Sequence, residues 1–269
     1  MTSADQRTPS LTSADAIQLS LHPIDDAEYV ERCRSDLESS GALVLKKFFS
    51  SETVARIVKQ STDFEKSAYY TQSTHNVYLT SKNPELAADH TFNRQIVSSK
   101  GLIADDQIPE DSPLRSVYND KRFRDFLCGT LGITEIHPYA DHLSSINVHF
   151  ASEGQELGWH FDNSAFAVTM LLQAPKSGGV FQYVPAVRDA DAYDMAYDRV
   201  AAVLNEQKLV QTLDFAPGDL VLFRGRDAMH RVTPTIGDTT RILIVFAFNE
   251  RPGIRLSESA LETFYGRTK

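Results

Sequence analysis

The sequence predicts a mainly β protein with flanking helices, and two patterns lead to this prediction. After about residue 138, short runs rich in Val, Ile, Phe and Thr follow one another, separated by Gly, Pro or Asp. Such runs with turn residues between them are typical of antiparallel strands. Helical patterns are concentrated before that point. About seven or eight strands with polar turns indicate a closed or double-sheet β architecture such as a jelly roll.

Helical signals in the first half predict a layer that packs outside the sheet. Residues 27–39 mix apolar and charged side chains at helical spacing, and the apolar run at residues 42–45 is typical of a first strand. The segment that begins at Ser50 has a Ser cap and an early Glu, which predicts a helix start. A further helical stretch covers residues 114–132, where Gly132 is suited to be the C-cap.

The strand-like segments fill most of the second half. They are SSINVHF, FAVTMLLQ, GVFQYVP, KLVQTLDF, DLVLFRG, HRVTP and RILIVFAFN. Residues 192–207 are helical in composition, and we interpret them as an insertion between two strands.

The domain organisation follows from these patterns. Residues 1–15 are rich in Ser, Thr, Asp and Pro, which predicts a disordered leader. Residues 16–269 are predicted to form one domain, since 42% of the chain is hydrophobic and can fill a sizeable core. Within it we expect a helical layer at 16–137, a jelly-roll core at about 138–250 and a C-terminal segment at 251–269.

Composition and charge argue against several classes of protein. The two cysteines are far apart without a CxxC pattern, which suits a reducing compartment and excludes a thiolate metal cluster. The net charge of −9 argues against nucleic acid as the main partner. No signal peptide is visible, and no apolar run approaches the roughly 20 residues of a transmembrane helix. We therefore expect a cytoplasmic protein that binds neither nucleic acid nor membrane.

The pattern G-W-H-F-D at residues 158–162 places a histidine and a carboxylate two residues apart. Residues i and i+2 of a strand point to the same side, so His160 and Asp162 can bind one ion while Phe161 turns away. His230 follows a later strand-like segment and can supply a third ligand. Two histidines and one carboxylate bind non-haem iron(II) and leave coordination positions open. By itself, the triplet is also explained by a half-buried histidine with a local hydrogen bond.

Arg241 opens the apolar segment RILIVFAFN, a little beyond His230. A desolvated guanidinium needs an anionic partner. A dicarboxylate cosubstrate would supply a bidentate one. An ordinary ion pair with Asp238 or another acidic residue is the alternative.

The order His-x-Asp, distal His and later Arg resembles the Fe(II)/2-oxoglutarate-dependent oxygenase superfamily over roughly residues 138–250. The double glycine of KSGGVFQYVP resembles the turn before a later strand of that fold. DQIPEDSPLRSVY and LVLFRGRDAMHRVTP resemble the subgroup that acts on free amino acids, which contains radical hydroxylases and radical halogenases. The resemblance implies a double-stranded β-helix, a cupin-like distorted jelly roll, and the cofactors Fe(II), 2-oxoglutarate and O2.

The resemblance also implies that His160, Asp162 and His230 are the catalytic iron ligands. Halogenases of this subgroup replace the carboxylate by a small residue, which frees a position for chloride. Because Asp162 keeps the carboxylate, hydroxylation is the expected reaction. Desaturation and oxidative ring closure begin with the same hydrogen abstraction and stay alternatives.

The cosubstrate contacts are less specific. The resemblance makes Arg241 the partner of the distal carboxylate of 2-oxoglutarate. Asn147 and His149 would share an inward face of SSINVHF, where a cosubstrate contact is expected. A buried position with hydrogen bonds to backbone groups explains Asn147 and His149 equally well. Trp159, the one tryptophan of the chain, should point away from the metal by strand alternation and serve packing.

The expected substrate is a small molecule, a free amino acid with an aliphatic side chain. Its carboxylate needs a cation and its ammonium an anion. Arg94 and Asp141 are candidates, although each is also explained as a surface or turn residue. Val245 and Ala247 share the face of Arg241, which favours a small apolar cavity and an aliphatic side chain.

Two other classes of protein remain as alternatives. One is a non-catalytic cupin-like binding protein. The other is a cupin-type hydrolase or isomerase that uses another divalent ion. Such enzymes generally carry a further histidine near the first ligand, and His149 is a candidate. Iron-dependent consumption of 2-oxoglutarate distinguishes the oxygenase from the binding protein.

Overall fold

The structure is a computed structural model that describes residues 12–269 of the chain. The helices are α1 Ser13–Ala16, α2 Ala27–Ser40, α3 Ser51–Phe64, α4 Pro113–Asn119, α5 Lys121–Leu131, α6 Tyr197–Leu204 and α7 Glu258–Tyr265. The strands are β1 Ala42–Leu45, β2 Tyr69–His75, β3 Ile96–Ile103, β4 Ile146–Ala151, β5 Leu157–His160, β6 Ala167–Gln173, β7 Ser177–Gly178, β8 Phe181–Val184, β9 Gln211–Thr212, β10 Leu220–Phe223, β11 Met229–Val232, β12 Thr235–Ile236 and β13 Arg241–Phe246. Short 3₁₀-helices lie at Glu65–Ser67, Thr91–Asn93 and Asp105–Gln107.

Most strands belong to one strongly curled antiparallel sheet. Its order is β1-β10-β6-β13-β4-β3-β5-β11-β8-β9, and β2 pairs with β3 outside this path. The sheet curls at β3, because residues 101–103 of this strand pair with β4 while its Ser98 pairs with Leu157 of β5. The predicted mainly β jelly-roll fold is confirmed.

The largest apolar core lies between this sheet and the N-terminal helices. Phe123 and Phe126 of α5 are fully buried there, and the ring of Phe123 contacts that of Phe246 on β13. Successive side chains of β13 point alternately into the core and into a cavity. Ile242, Ile244 and Phe246 are buried in the core, whereas the intervening residues face a cavity on the other side of the sheet.

The predicted helix ends are confirmed, but one predicted helix is two. The Ser50 side chain accepts the Thr53 N–H at the start of α3, and Gly132 ends α5 in the left-handed region at φ 74°. The stretch at 114–132 is divided at Asp120, whose side chain accepts the Arg122 N–H and begins α5 anew. A residue that caps the start of a new helix therefore divides a segment whose sequence pattern is helical throughout.

The structure differs from the expected organisation at several places. The predicted leader falls outside the described residues up to residue 11, while residues 12–15 already begin α1, which Thr12 caps. Of the predicted strand KLVQTLDF only β9 forms, and Leu209 before it is 87% exposed. Of the insertion at 192–207, residues 197–204 form α6.

The largest difference is that the helical layer expected at 16–137 also supplies β2 and β3 to the sheet. The sequence of β2, YYTQSTH, has no aliphatic residue and is polar after its two tyrosines, and the strand lies mostly exposed beside β3. Strand β3, IVSSKGLI, places Ser98 and Lys100 toward the cavity, which hides the apolar alternation by which a strand is recognised.

Among the described residues, no helix combines the length and apolar character that a bilayer crossing requires.

Candidate active site

Two neighbouring strands bring the three predicted metal ligands together. His160 ends β5 and pairs directly with His230 of β11, so their ring centroids lie 4.1 Å apart. Asp162 follows β5, and its N–H donates to the carbonyl of Gly225 at 3.0 Å. One ligand atom from each side chain, three in all, lies within 4.8 Å of the others.

The hydrogen bonds of the two histidines aim one ring nitrogen of each at Asp162. Nδ1 of His160 lies 2.8 Å from the carbonyl of Gly158, and Nδ1 of His230 lies 3.1 Å from that of Ala228. A carbonyl only accepts, so Nδ1 carries a proton in both rings, and Nε2 is the ring nitrogen left to bind a metal. The Nε2 atoms lie 3.7 Å and 3.4 Å from Oδ1 of Asp162.

For His160 and Asp162, electrostatics favour the protonation states that a metal requires. Burial, together with the neighbouring His230, lowers the pKa of His160 to about 3. Burial raises the pKa of Asp162, but the adjacent histidines outweigh this and the pKa stays below its ordinary value. Neutral imidazoles and an ionised carboxylate are the forms that bind a divalent metal.

A buried oxygen shows that the three residues fit a metal ion. Oδ2 of Asp162 is buried without a hydrogen-bond partner among the described residues. An unpaired buried charge is unfavourable unless a cation or donor compensates it. The donor set, two imidazole nitrogens and one carboxylate, suits iron(II).

Gly225 leaves room for this carboxylate. A Cβ added at position 225 would lie 1.9 Å from Oδ2 of Asp162 and 2.9 Å from Cε1 of His230. Both distances are far below van der Waals contact, so any larger residue must displace the ligands.

We therefore expect Gly225→Ala to weaken iron binding by about 10- to 100-fold, the range typical of lost support for a metal ligand. Anaerobic titration with Fe(II) measures the affinity, and circular dichroism checks that the fold persists. Gly129→Ala is the control, because its added methyl is also crowded, 2.5 Å from Cγ1 of Val30, but lies on α5 away from the metal ligands. Unchanged iron affinity in Gly225→Ala would contradict the orientation of Asp162.

The three ligands lie on the wall of a cavity of about 300 Å³. Much of its lining is apolar and includes Leu157, Phe181, Val221, Val232, Leu243 and Val245. Thr71, Ser73, Thr169 and Thr263 contribute hydroxyl groups to the lining. The volume is at the small end of about 300–1,000 Å³, the range typical of small-molecule sites.

Arg241 lines this cavity and is 5% exposed. The predicted alternative, an ion pair with Asp238, does not form, since Asp238 pairs with Lys176 at 2.8 Å. Among the described residues no carboxylate lies within ion-pair distance of the Arg241 guanidinium. Burial lowers the pKa of Arg241 to about 10. A buried cation without an internal partner suits an anionic ligand.

His149 lines the cavity as predicted, and it has a cationic neighbour that the sequence did not indicate. Nδ1 of His149 lies 3.4 Å from Nζ of Lys100. Burial, with the charges of Lys100 and Arg241, lowers the pKa of His149 well below its usual range. Burial also lowers the pKa of Lys100 to about 8.

Asn147 lies on the same face of β4 but does not reach the cavity, because its side chain donates to the Ser144 carbonyl at 2.8 Å. Val245 lines the cavity, whereas Ala247 lies beyond it and its carbonyl accepts a hydrogen bond from Tyr118. Trp159 packs outside the cavity, under the guanidinium of Arg231, as predicted.

The two predicted substrate contacts lie elsewhere. Arg94 donates to Asn205 and to the carbonyl of Leu204, at the C-terminal end of α6. Asp141 accepts the N–H groups of Leu143, Ser144 and Leu256 and so fixes a turn. The structure does not bring either side chain to the cavity, because groups at the end of α6 bind Arg94 and backbone N–H groups bind Asp141.

Several cavity residues come from segments that the sequence did not single out. His75 of β2 lies 2.7 Å from the Ser98 hydroxyl, which accepts the N–H of Gly158 beside His160. Thr263 and Phe264 belong to α7 and cover one side of the cavity. Only the tertiary pairing of β2, β3 and α7 assembles these residues, so no motif could have identified them.

Solved structures of oxygenases share this fold. The chain is similar to an oxidoreductase of the 2OG-Fe(II) oxygenase family from Burkholderia pseudomallei, with 12% identity, a TM-score of 0.53 and coverage of 84% of this chain and 93% of that chain. It is similar to SnoN, a non-haem α-ketoglutarate-dependent epimerase from nogalamycin biosynthesis, with 14% identity, a TM-score of 0.57 and coverage of 82% of each chain. A prolyl hydroxylase from Trichoplax adhaerens, in complex with a peptide fragment, matches with 15% identity, a TM-score of 0.53 and coverage of 85% of this chain and 92% of that chain. No curated protein sequence matches the chain.

The jelly-roll fold and the His–Asp–His cluster define an Fe(II)/2-oxoglutarate-dependent dioxygenase, with Fe(II), 2-oxoglutarate and O2 as its cofactors. The sequence model of the Halogenase D family matches residues 26–263, which is most of the chain. The chain belongs to the Halogenase D family. The predicted oxygenase superfamily is thereby confirmed, while action on free amino acids stays a prediction.

Proposed function

We propose that this dioxygenase hydroxylates an unactivated C–H bond of a small molecule, a free amino acid with an aliphatic side chain. The observation that carries the proposal is the carboxylate of Asp162, which lies within 3.7 Å of both histidine Nε2 atoms. In the proposed site His160, Asp162 and His230 hold the iron.

The carboxylate of Asp162 favours hydroxylation over halogenation. The family name points to halogenases, and in the halogenases that the sequence resembles a small residue replaces this carboxylate and leaves a position for chloride. Here Oδ1 of Asp162 faces both histidine Nε2 atoms, and Oδ2 is buried without a hydrogen-bond partner among the described residues. A carboxylate in that place competes with chloride for the same metal position. Hydroxylation therefore fits this chain better.

Arg241 is the proposed partner of the distal carboxylate of 2-oxoglutarate. It opens β13, two residues before Leu243 on the cavity face, and has no internal ion-pair partner among the described residues. The planar guanidinium can bind a carboxylate through two parallel hydrogen bonds. The cosubstrate would then lie between Arg241 and the histidine cluster, along the face that carries His149.

Fe(II) and 2-oxoglutarate, when bound, supply the activation of O2 that breaks the C–H bond. The residues of the chain provide binding, orientation and exclusion of water. The Gly158 and Ala228 carbonyls hold the His160 and His230 rings in one tautomer. The apolar wall that includes Val221, Val232 and Val245 keeps water from the reacting carbon.

The cavity also supports the proposed substrate class. Its volume of about 300 Å³ suits a small molecule beside the cosubstrate. Among the described lining residues the one acidic side chain is Asp162, the proposed iron ligand. A cationic side chain of a substrate would therefore be buried without a free carboxylate, which is unfavourable. An aliphatic side chain fits the apolar wall.

A substrate screen tests the proposal. The purified enzyme with Fe(II), 2-oxoglutarate and ascorbate is incubated with a panel of amino acids, and products are identified by mass spectrometry. We expect an aliphatic amino acid to increase 2-oxoglutarate consumption and to gain one oxygen atom. A panel in which no aliphatic amino acid increases 2-oxoglutarate consumption or gains oxygen would refute the proposed substrate.

The outcome of replacing Asp162 by glycine is a separate prediction. Asp162→Gly should lose most hydroxylation, because it removes a ligand, and it should remain mostly inactive even in high chloride. Opening a position for chloride does not place the substrate radical correctly, since surrounding residues set that geometry. Mass spectrometry of the products checks this, and efficient chlorination by Asp162→Gly would contradict it.

A further inference from the structure

One charged residue of the cavity has no role in the proposed function. Among the described lining residues, those charged at neutral pH are Asp162, Arg241 and Lys100. Asp162 is assigned to iron and Arg241 to the cosubstrate. Lys100 is therefore a cation without an assigned partner in a cavity of about 300 Å³.

Lys100 occupies the strand that joins the two parts of the site. It lies on β3, two residues after Ser98, which pairs with Leu157 of the strand that carries His160. On its other side Lys100 pairs with Thr71 of β2. Residues of equal parity face one side of a strand, so Lys100 points into the same cavity as Ser98. It thus lies beside the cluster rather than on the outer surface.

The ammonium group of Lys100 has fewer hydrogen-bond partners than it has protons to donate. Its hydrogen-bond partner is Nδ1 of His149 at 3.4 Å. An ammonium has three protons to donate, and among the described residues no carboxylate lies within ion-pair distance of Nζ. Burial lowers the pKa of Lys100 to about 8 although the charge of Asp162 opposes the shift, so the side chain is mostly protonated at neutral pH.

A structural role does not account for this arrangement. A half-buried lysine that bonds only to a neutral imidazole is unfavourable for folding compared with an apolar residue of similar length. Such groups are characteristic of sites that bind an opposite charge. The ligand chemistry that fits a single protonated amine in a small cavity is a carboxylate.

We propose that Lys100 binds the carboxylate of the primary substrate, while Arg241 binds the distal carboxylate of 2-oxoglutarate. This inference rests on the proposed function and extends it, because it makes the carboxylate a requirement for recognition. The hydroxyl groups of Thr71, Ser73 and Thr263, in the same cavity, can accept hydrogen bonds from the amino group. Lys100 would then anchor the polar end of the amino acid, and the apolar wall would receive the side chain.

The test compares ligands that differ by one group. Calorimetry under anaerobic conditions measures binding of L-leucine and L-norleucine to the Fe(II)- and 2-oxoglutarate-loaded enzyme. Each amino acid is accompanied by the amine that lacks its carboxylate and by the carboxylic acid that lacks its amino group. The proteins are the wild type, Lys100→Met, Lys100→Arg and the control Lys121→Met, whose lysine is 80% exposed. The affinity for 2-oxoglutarate is measured for each protein.

In Lys100→Met we expect the affinity for amino acids and carboxylic acids to fall by about 10- to 100-fold, the effect of one hydrogen bond to a charged group. The affinity for the amines and for 2-oxoglutarate should change by less than about twofold. Lys100→Arg should recover part of the loss, because it keeps the charge but changes the geometry. Lys121→Met should behave as the wild type does.

Other outcomes contradict the assignment in distinct ways. A loss confined to 2-oxoglutarate would assign Lys100 to the cosubstrate, and equal affinities in all four proteins would exclude it from binding. Should no amino acid bind the wild type, the proposed substrate class is wrong, and the carboxylic acids alone decide on Lys100. Binding of those acids to the wild type but not to Lys100→Met then supports the assignment, and any other result opposes it.

Discussion

Replacing His160, Asp162 or His230 by alanine is expected to abolish turnover and weaken iron binding while the fold persists. Each variant removes one of three ligand atoms that lie within 4.8 Å of one another. A site with two protein ligands should bind Fe(II) at least about 100-fold more weakly, since even changes outside the ligand shell reach about 10- to 100-fold. The apolar core lies on the other face of the sheet, so secondary structure should be retained.

Iron binding and turnover are measured separately for these variants. Anaerobic titration with Fe(II) gives the affinity, and 2-oxoglutarate consumption gives the activity. His142→Ala is the matched control, because His142 is exposed and does not line the cavity. Full activity in all three ligand variants would refute the metal site.

Arg241→Ala is expected to raise the Kd of 2-oxoglutarate by about a hundredfold or more. The variant breaks a charge-assisted pair in a desolvated place, an effect on the order of a few kcal/mol. Arg241→Lys should recover only part of the affinity, because a lysine cannot reproduce the bidentate geometry. Binding is measured by anaerobic titration of the Fe(II)-loaded protein, with the exposed Arg255→Ala as control.

Thermal stability distinguishes a ligand-binding arginine from a structural one. Burial lowers the pKa of Arg241, so the charged form is less favourable in the folded state than in the unfolded state. Its removal should therefore leave the Tm of the ligand-free protein unchanged or higher. A lower Tm together with unchanged 2-oxoglutarate affinity would mean that Arg241 serves the fold and that the cosubstrate binds elsewhere.

The metal cluster and Arg241 could be predicted because short-range rules determine them. Strand alternation places His160 and Asp162 on one side, and an arginine at the start of an apolar strand needs an anion. The direct pairing of His160 with His230 required the structure, since strand register depends on the whole sheet.

The substrate side of the cavity could not be predicted for a physical reason. Lys100 lies on a strand whose inward residues are polar, so its sequence resembles a loop more than a half-buried strand. Arg94 and Asp141 have the charges that an amino acid needs, but Arg94 is bound by groups at the end of α6 and Asp141 by backbone N–H groups of a turn. Charge alone does not distinguish a residue in a cavity from one in a turn.

The most direct test of the account uses isotopically labelled O2 in high chloride with the unmodified enzyme, Fe(II), 2-oxoglutarate and the amino acid that stimulates turnover. Mass spectrometry then identifies the atom transferred. We expect a hydroxylated product that carries one labelled oxygen atom, formed together with succinate, and no chlorinated product. A chlorinated amino acid from the unmodified enzyme would contradict the account, because it would show that Asp162 does not occupy the metal position that chloride requires.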